Sequence, residues 1–203
     1  MKCFFNSRSL PLWIVILIFL FIGIPKAQAQ WTASIGYQYR GDNPNRDNPN
    51  QGVKVKLRHP FAAVGSHFEV FARTHVGYFF LQEESFTGID GGMTATSRSY
   101  DAGLGGGVEA NIARFRPYIG IGGGYEGHRG ERRSWSLCTS PKTSDIDVGN
   151  LYFSLYAGMS IEAFSGTMLY VEGQLPEYLN EQKLIDIGLA NAPVLETGVR
   201  IQF

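Results

Sequence analysis

The densest run of reactive side chains lies between residues 126 and 147: Glu126, His128, Arg129, Glu131, Arg132, Arg133, Ser134, Trp135, Ser136, Cys138, Asp145 and Asp147. A serine activated by an imidazole, which a carboxylate orients in turn, is a recurrent nucleophilic device, so His128 with Ser134 or Ser136 and Asp147 is a candidate set. Its spacing matches no motif, however, and a plain solvated loop accounts for the same residues. Arg129, Arg132 and Arg133 offer a second chemistry, because planar guanidinium groups suit phosphate oxygens. His67 and His75 stand eight residues apart, too far for a compact metal pair, and no zinc spacing occurs. The glycine strings at 103–107 and 120–124 could suggest a phosphate cradle, but such a loop must lead from a strand into a helix. Here the flanking residues continue strand alternation on both sides. No catalytic, metal or cofactor site is therefore assigned, and Cys138 reads as an incidental thiol.

The elements that must position these residues are preceded by an export signal. Lys2 and Arg8 come before an unbroken apolar run from Leu12 to Ile24, and Pro25-Lys26-Ala27-Gln28-Ala29 supplies a small-x-small exit. A transmembrane helix needs about 20 apolar residues, so this run reads as a signal peptide, residues 1–29, cleaved after Ala29. Cys3 leaves with it. The remaining chain, 30–203, has a length suited to one domain, carries 15 basic and 18 acidic residues, and is too weakly charged to suggest a nucleic-acid partner. One cysteine cannot form an internal disulfide, and no second long apolar stretch follows.

What does follow is repeated alternation of apolar and polar residues, the mark of strands with two unlike faces. Val53, Val55 and Leu57 interleave with Lys54, Lys56 and Arg58. A buried core strand could not tolerate that, whereas a strand between lipid and a polar lumen can. Seven further runs behave alike: Trp31–Arg40, Phe68–Tyr78, Tyr100–Ala110, Tyr118–Glu126, Asn150–Glu162, Leu169–Leu175 and Leu195–Phe203. Long polar connections are expected at Gly41–Gln51, Leu81–Ala95, Gly127–Asp147 and Pro176–Ala192, and brief ones at His59–Ser66, Asn111–Phe115 and Phe164–Gly166. A soluble eight-stranded barrel would alternate too, with its apolar face inward. Periodicity leaves that choice open, and the export signal, the alternating connection lengths and the terminal Phe203 favour the membrane arrangement.

In that arrangement the lumen holds Arg40, Lys54, Lys56, Arg58, Arg73, Arg116 and Arg200 against Glu69, Asp101, Glu109, Glu126, Glu162, Glu172 and Glu196. An interior just wide enough for side chains would join them in one ion-pair network. Lumen-facing Gly103, Gly105, Gly107, Gly120, Gly122 and Gly124 would clear room on one wall for bulk such as Tyr152, Tyr156 and Tyr170. Two aromatic girdles are expected, Trp31, Phe61, Phe115, Phe164 and Phe203 on one rim and Tyr39, Tyr78, Phe80, Tyr100 and Tyr125 towards the other.

The stretch Arg116-Pro117-Tyr118-Ile119-Gly120-Ile121-Gly122-Gly123-Gly124-Tyr125, the glycine-rich strand at Gly103–Val108 and the terminal Gly198-Val199-Arg200-Ile201-Gln202-Phe203 resemble the small outer-membrane β-barrel family of OmpA/OmpX type, across the whole exported chain. The resemblance implies an all-β, eight-stranded antiparallel up-and-down transmembrane barrel, with four long extracellular loops, short periplasmic turns and both termini periplasmic. A last strand ending in Phe203 resembles the signal read by the barrel-assembly machinery. Members of the family include structural proteins, adhesins and a few enzymes. The expectation is a monomeric, non-enzymatic outer-membrane protein with a structural or loop-mediated binding role and no cofactor. Lipid and lipopolysaccharide are its expected partners, with Arg129, Arg132 and Arg133 as phosphate contacts. The alternatives are a lipid A-modifying enzyme with its site near the extracellular rim, or a narrow passive pore.

Overall fold

Alternation on this scale can be satisfied only if every strand finds two neighbours, and the computed structural model shows how. It describes residues 31–41, 50–88, 90–136, 139–179 and 192–203. The expected signal peptide, Cys138 and most of the first and fourth long connections lie outside the described residues. Eight antiparallel strands form one closed ring: β1 Thr32–Arg40, β2 Asn50–Val64, β3 Phe68–Gly88, β4 Gly91–Ala110, β5 Phe115–Ser136, β6 Thr139–Phe164, β7 Thr167–Tyr178 and β8 Val194–Gln202. Each pairs with the next in sequence, and β8 returns to β1 through pairs such as Ala33 with Ile201. The up-and-down barrel expected from the sequence is the observed fold.

The register keeps like faces together. Ile35, Val55 and Val76 line up across β1, β2 and β3 on the outside, while Lys56 lies opposite His75 and Arg58 opposite Arg73 on the inside. Outward residues stay exposed although apolar: Val55 at 49%, Leu104 at 67% and Ile121 at 70%. Lys54 and Lys56, the inward neighbours of Val55, are buried although charged. The turns Gly65–His67 and Ser165–Gly166 are tight, and Gly65 (φ 67°) and Gly166 (φ 76°) supply the left-handed residue that short hairpins need. The turn between β4 and β5 gives this conformation to Ala113 instead, at φ 54°.

The strands are unequal. β1, β2, β7 and β8 have 9, 15, 12 and 9 residues, whereas β3 to β6 have 21, 20, 22 and 26. The pairing of β2 with β3 stops at Gly52–Phe79 and that of β6 with β7 at Tyr152–Tyr178, yet the four middle strands continue together to their turns. The barrel therefore carries a four-stranded ribbon on one rim. This corrects two expectations: apart from Asp90, the described residues of Leu81–Ala95 and Gly127–Asp147 lie in strands. The reason is that cross-strand hydrogen bonding needs no apolar alternation once both faces are wet, so polarity alone misread them as loops.

From Phe115 to Tyr125 on β5 is ten residue steps, ~33 Å of strand. At a tilt of ~40° that spans ~25 Å, the height of a bilayer's apolar band. Tyr39, Tyr78, Phe80, Tyr100 and Tyr125 border the band where the ribbon begins, with Tyr78 and Phe80 edge to face at 6.1 Å and the rings of Tyr100 and Tyr125 tilted at 6.4 Å. Trp31, Phe61, Phe115, Phe164 and Phe203 border the other rim, all exposed.

Candidate functional site

Two regions hold the polar chemistry: the lumen and the ribbon. Inside the barrel, burial of charge is tolerable only with partners, since an isolated buried ion is costly. Near the rim of the short turns, Arg58 Nη1 and Arg200 Nη1 donate to the same Glu109 oxygen, at 2.5 Å and 2.9 Å. At mid-height Glu172 accepts from Arg73 at 2.7 Å and from the Tyr118 hydroxyl at 2.9 Å, with Lys56 at 3.3 Å. Lys56 also lies 2.8 Å from Glu196, to which Tyr170 donates. Higher, Asp101 is met by Lys54 at 3.2 Å and His75 at 3.1 Å, and His75 is 2.7 Å from the Tyr152 hydroxyl. At the ribbon end Arg40 grips Glu126 through two bonds of 2.7 Å, and Tyr178 donates to the same carboxylate at 2.5 Å. His128 adds a contact at 3.2 Å.

Aromatic rings separate these tiers. Arg73 lies over Tyr156, 3.2 Å from the ring centroid, and Arg58 over Phe71 at 3.5 Å. The glycine wall makes this stacking possible: a Cβ on Gly120 would collide with the Tyr156 hydroxyl, and one on Gly107 would sit 2.8 Å from Phe71. Tyr152, Tyr156 and Tyr170 thus fill the space left by glycines or small residues, as expected. The expected network is present with one correction. Glu69, Arg116 and Glu162 have side chains 32%, 22% and 37% exposed, so they lie at the rim rather than within. Their strands end there, and water reaches them. Lys56, meanwhile, is held by Glu172 and Glu196.

The ribbon separates the side chains that sequence proximity had grouped. His128 is fully buried and faces inward beside Glu126, while Ser134 and Ser136, six and eight residues further on, are exposed. Asp147 is exposed on the outer face, 3.7 Å from Arg129. Strand alternation thus sends His128 and Asp147 to opposite faces, and the candidate nucleophilic set is not assembled. The arginines divide likewise: Arg129 and Arg133 face outward and Arg132 the other way, as the alternating pairing of β5 with β6 requires. Sequence proximity also missed Arg98, which lies directly opposite Arg129 on β4 and is exposed. Among the described residues no group of three metal-ligating side chains occurs. His75 is occupied by Asp101 and Tyr152, whereas His67 lies in the exposed turn beneath β3.

An eight-stranded ring with a charged, filled interior and an apolar belt between aromatic borders is a transmembrane β-barrel. Its fold is that of the small outer-membrane barrels of OmpA/OmpX type. Among solved structures, a major outer membrane protein from Thermus thermophilus superposes with a TM-score of 0.64 at 12% identity, over 86% of this chain and 99% of that one. Ail, the attachment invasion locus protein of Yersinia pestis, superposes with a TM-score of 0.50 at 10% identity, over 86% and 97%. No protein-family model matches the chain, and a search of curated proteins finds no significant relative.

Proposed function

We propose that the chain is exported through its signal peptide, residues 1–29, and that residues 30–203 act in the bacterial outer membrane as a surface-interaction protein without enzymatic activity. The observation that carries this reading is the ribbon of β3 to β6, which holds a large two-faced polar sheet beyond the apolar belt. β5 alone runs eleven residues past Tyr125, ~36 Å of strand. A purely structural barrel needs no such extension, and a pore is poorly served by a lumen packed with ion pairs and rings. The ribbon faces the outside of the cell, and the rim of Trp31 and Phe203 faces the periplasm, since outer-membrane barrels keep their short turns there. The closed ring supports a monomer, because its membrane-embedded strands keep no free edge. Phe203 at the end of β8 serves recognition by the barrel-assembly machinery.

In this reading Arg98 and Arg129 hold lipopolysaccharide phosphate. They sit just beyond Tyr100 and Tyr125, at headgroup height, and like charges placed opposite each other destabilise a strand pair unless an anion joins them. Asp147 balances one of the two. Arg133 and Arg132, further along the ribbon, are weaker candidates for the same phosphates.

The orientation is tested with Cys138→Ser as background. Lys142→Cys and Asp90→Cys are expected to react with a membrane-impermeant thiol reagent on intact cells, and Ser165→Cys is expected to stay unlabelled. The reverse pattern overturns the reading. The absence of enzymatic activity has its own check, because lipid A from wild-type and deletion strains should give the same mass spectrum.

A further inference from the structure

Near its tip, on a face whose other described side chains are mostly Thr, Arg, Glu and Asp, the ribbon carries a large aromatic side chain. Trp135 stands on the outward side of β5, beyond Glu131 and Arg133. Its neighbour across β4 is Gly92, which offers no side chain, and Thr94 and Thr96 follow opposite Arg133 and Glu131. Across β6 the register slips between the pairs Ser134–Lys142 and Ser136–Thr139, so no residue lies directly opposite Trp135. A bulge of this kind re-aims a side chain and interrupts pairing. Glycine on one side and the bulge on the other leave space beside the half-buried indole.

The result is a cleft of about 480 Å³ lined by Thr94, Thr96, Glu131, Arg133, Trp135 and Pro141. That size suits a small ligand. Among the described residues neither Glu131 nor Arg133 has an ion-pair partner, so both keep their hydrogen-bonding capacity. The indole offers a flat face of negative potential to polarised C–H groups. A carboxylate beside it accepts from hydroxyls, and a guanidinium donates two parallel bonds to adjacent oxygens. A face of C–H groups edged by neighbouring hydroxyls is the chemistry of a pyranose ring. An anionic ligand fits less well, because Glu131 lies between Arg133 and Arg129 and Asp145 is its partner on β6. A membrane lipid is out of reach, since Trp135 is ten positions beyond Tyr125, ~33 Å of strand.

We propose that Trp135, Glu131, Arg133 and Thr94 form a binding site for a neutral pyranose unit. The inference gives a ligand class to the surface-interaction reading and rests on it for its biological setting. The sugar comes either from the cell's own surface polysaccharide or from a foreign glycan, and the test separates the two. The protein is placed in phosphatidylcholine nanodiscs, free of glycoside detergent, with its tryptophans labelled with ¹⁵N. It is titrated with methyl pyranosides of glucose, galactose, mannose and N-acetylglucosamine, and separately with polysaccharide released from the producing cells. Movement of the Trp135 indole signal while Trp31 stays still is expected from at least one titrant. Trp135→Ala should weaken that binding about tenfold or more, equivalent to ~1.4 kcal/mol, and Trp135→Phe should keep part of it. Added salt should leave the affinity unchanged.

A response only to the cell's polysaccharide assigns the site to self-contact, and a response to the simple glycosides assigns it to foreign glycans as well. Silence from every titrant overturns the proposal, as does binding that survives in Trp135→Ala. So does a response confined to sulfate or phosphate that fades with salt, which would mark an anion site. Both faces of a nanodisc are accessible, so an inverted topology would show in the cell-labelling experiment and leave this titration untouched.

Discussion

The ribbon prolongs four of the eight strands that make the barrel wall, yet the two regions obey different rules. Within the belt each residue of β5 meets either lipid or the lumen, and the alternation is strict: Ile119 and Ile121 are exposed, Tyr118 is buried, and the inward glycines yield their space to Tyr156. Beyond His128, which is still buried, outward Arg129, Glu131 and Arg133 are exposed and alternate with half-buried Gly130 and Arg132 without a common polarity. In the wall, two unlike solvents select the side chain. In the ribbon, backbone pairing holds the strands and leaves the side chains to whatever the surface contacts.

This contrast orders the expected mutational effects. Glu172→Gln should be the most damaging, since it removes the anion shared by Arg73 and Lys56, taking the counter-charge from buried Arg73 and leaving Lys56 with Glu196. Breaking such a pair costs ~3–5 kcal/mol, to be read by urea unfolding in lipid vesicles. Val55→Arg comes next at ~2–4 kcal/mol, because it sets a charge in the lipid at mid-strand. If that substitution proved harmless in the same assay, the outward face would not be lipid-facing. Gly120→Val should cost ~1–3 kcal/mol by driving Tyr156 off the glycine wall, with Tyr156→Phe giving little relief because the ring remains. The ribbon should be nearly indifferent by comparison. Thr143→Ala, exposed on β6, is expected to stay within ~0.5 kcal/mol of wild type, and a large loss there would mean that the ribbon supports the barrel.

The same contrast explains how much of the structure is legible in the sequence. Lys54, Lys56 and Arg58 between Val53, Val55 and Leu57 betray their facing, because only a lipid-to-lumen wall accommodates that pattern. The glycine wall and its tyrosines follow from parity for the same reason. Partners did not: Lys56 could have met Glu69, Glu109 or Glu172, and its contact with Glu196 depends on how far the closed ring brings β8 across from β2. Above the belt the pattern carried no information. Residues 81–95 and 127–147 look like loops because their composition is polar, and nothing in the sequence marks Arg98 as the neighbour of Arg129 or Gly92 as the neighbour of Trp135. Those juxtapositions are properties of register, which a two-faced polar ribbon specifies only through its turns and bulges.

The pairing of β1 with β8 joins Ala33 to Ile201, near opposite ends of the chain. Every other neighbouring pair of strands is a hairpin and can form as soon as its second strand exists. The ring, by contrast, cannot close until β8 has been made, and until then β1 lacks its second partner and the lumenal charges lack a wall. Lys56 waits for Glu196 on β8, and Arg200, itself on β8, is the last cation to reach Glu109. Contacts between such distant segments carry the largest chain-closure cost and form late. The seam between β1 and β8 is therefore the step that converts a curled sheet with two open edges into a barrel, and it ties completion of the ion-pair network to the arrival of β8.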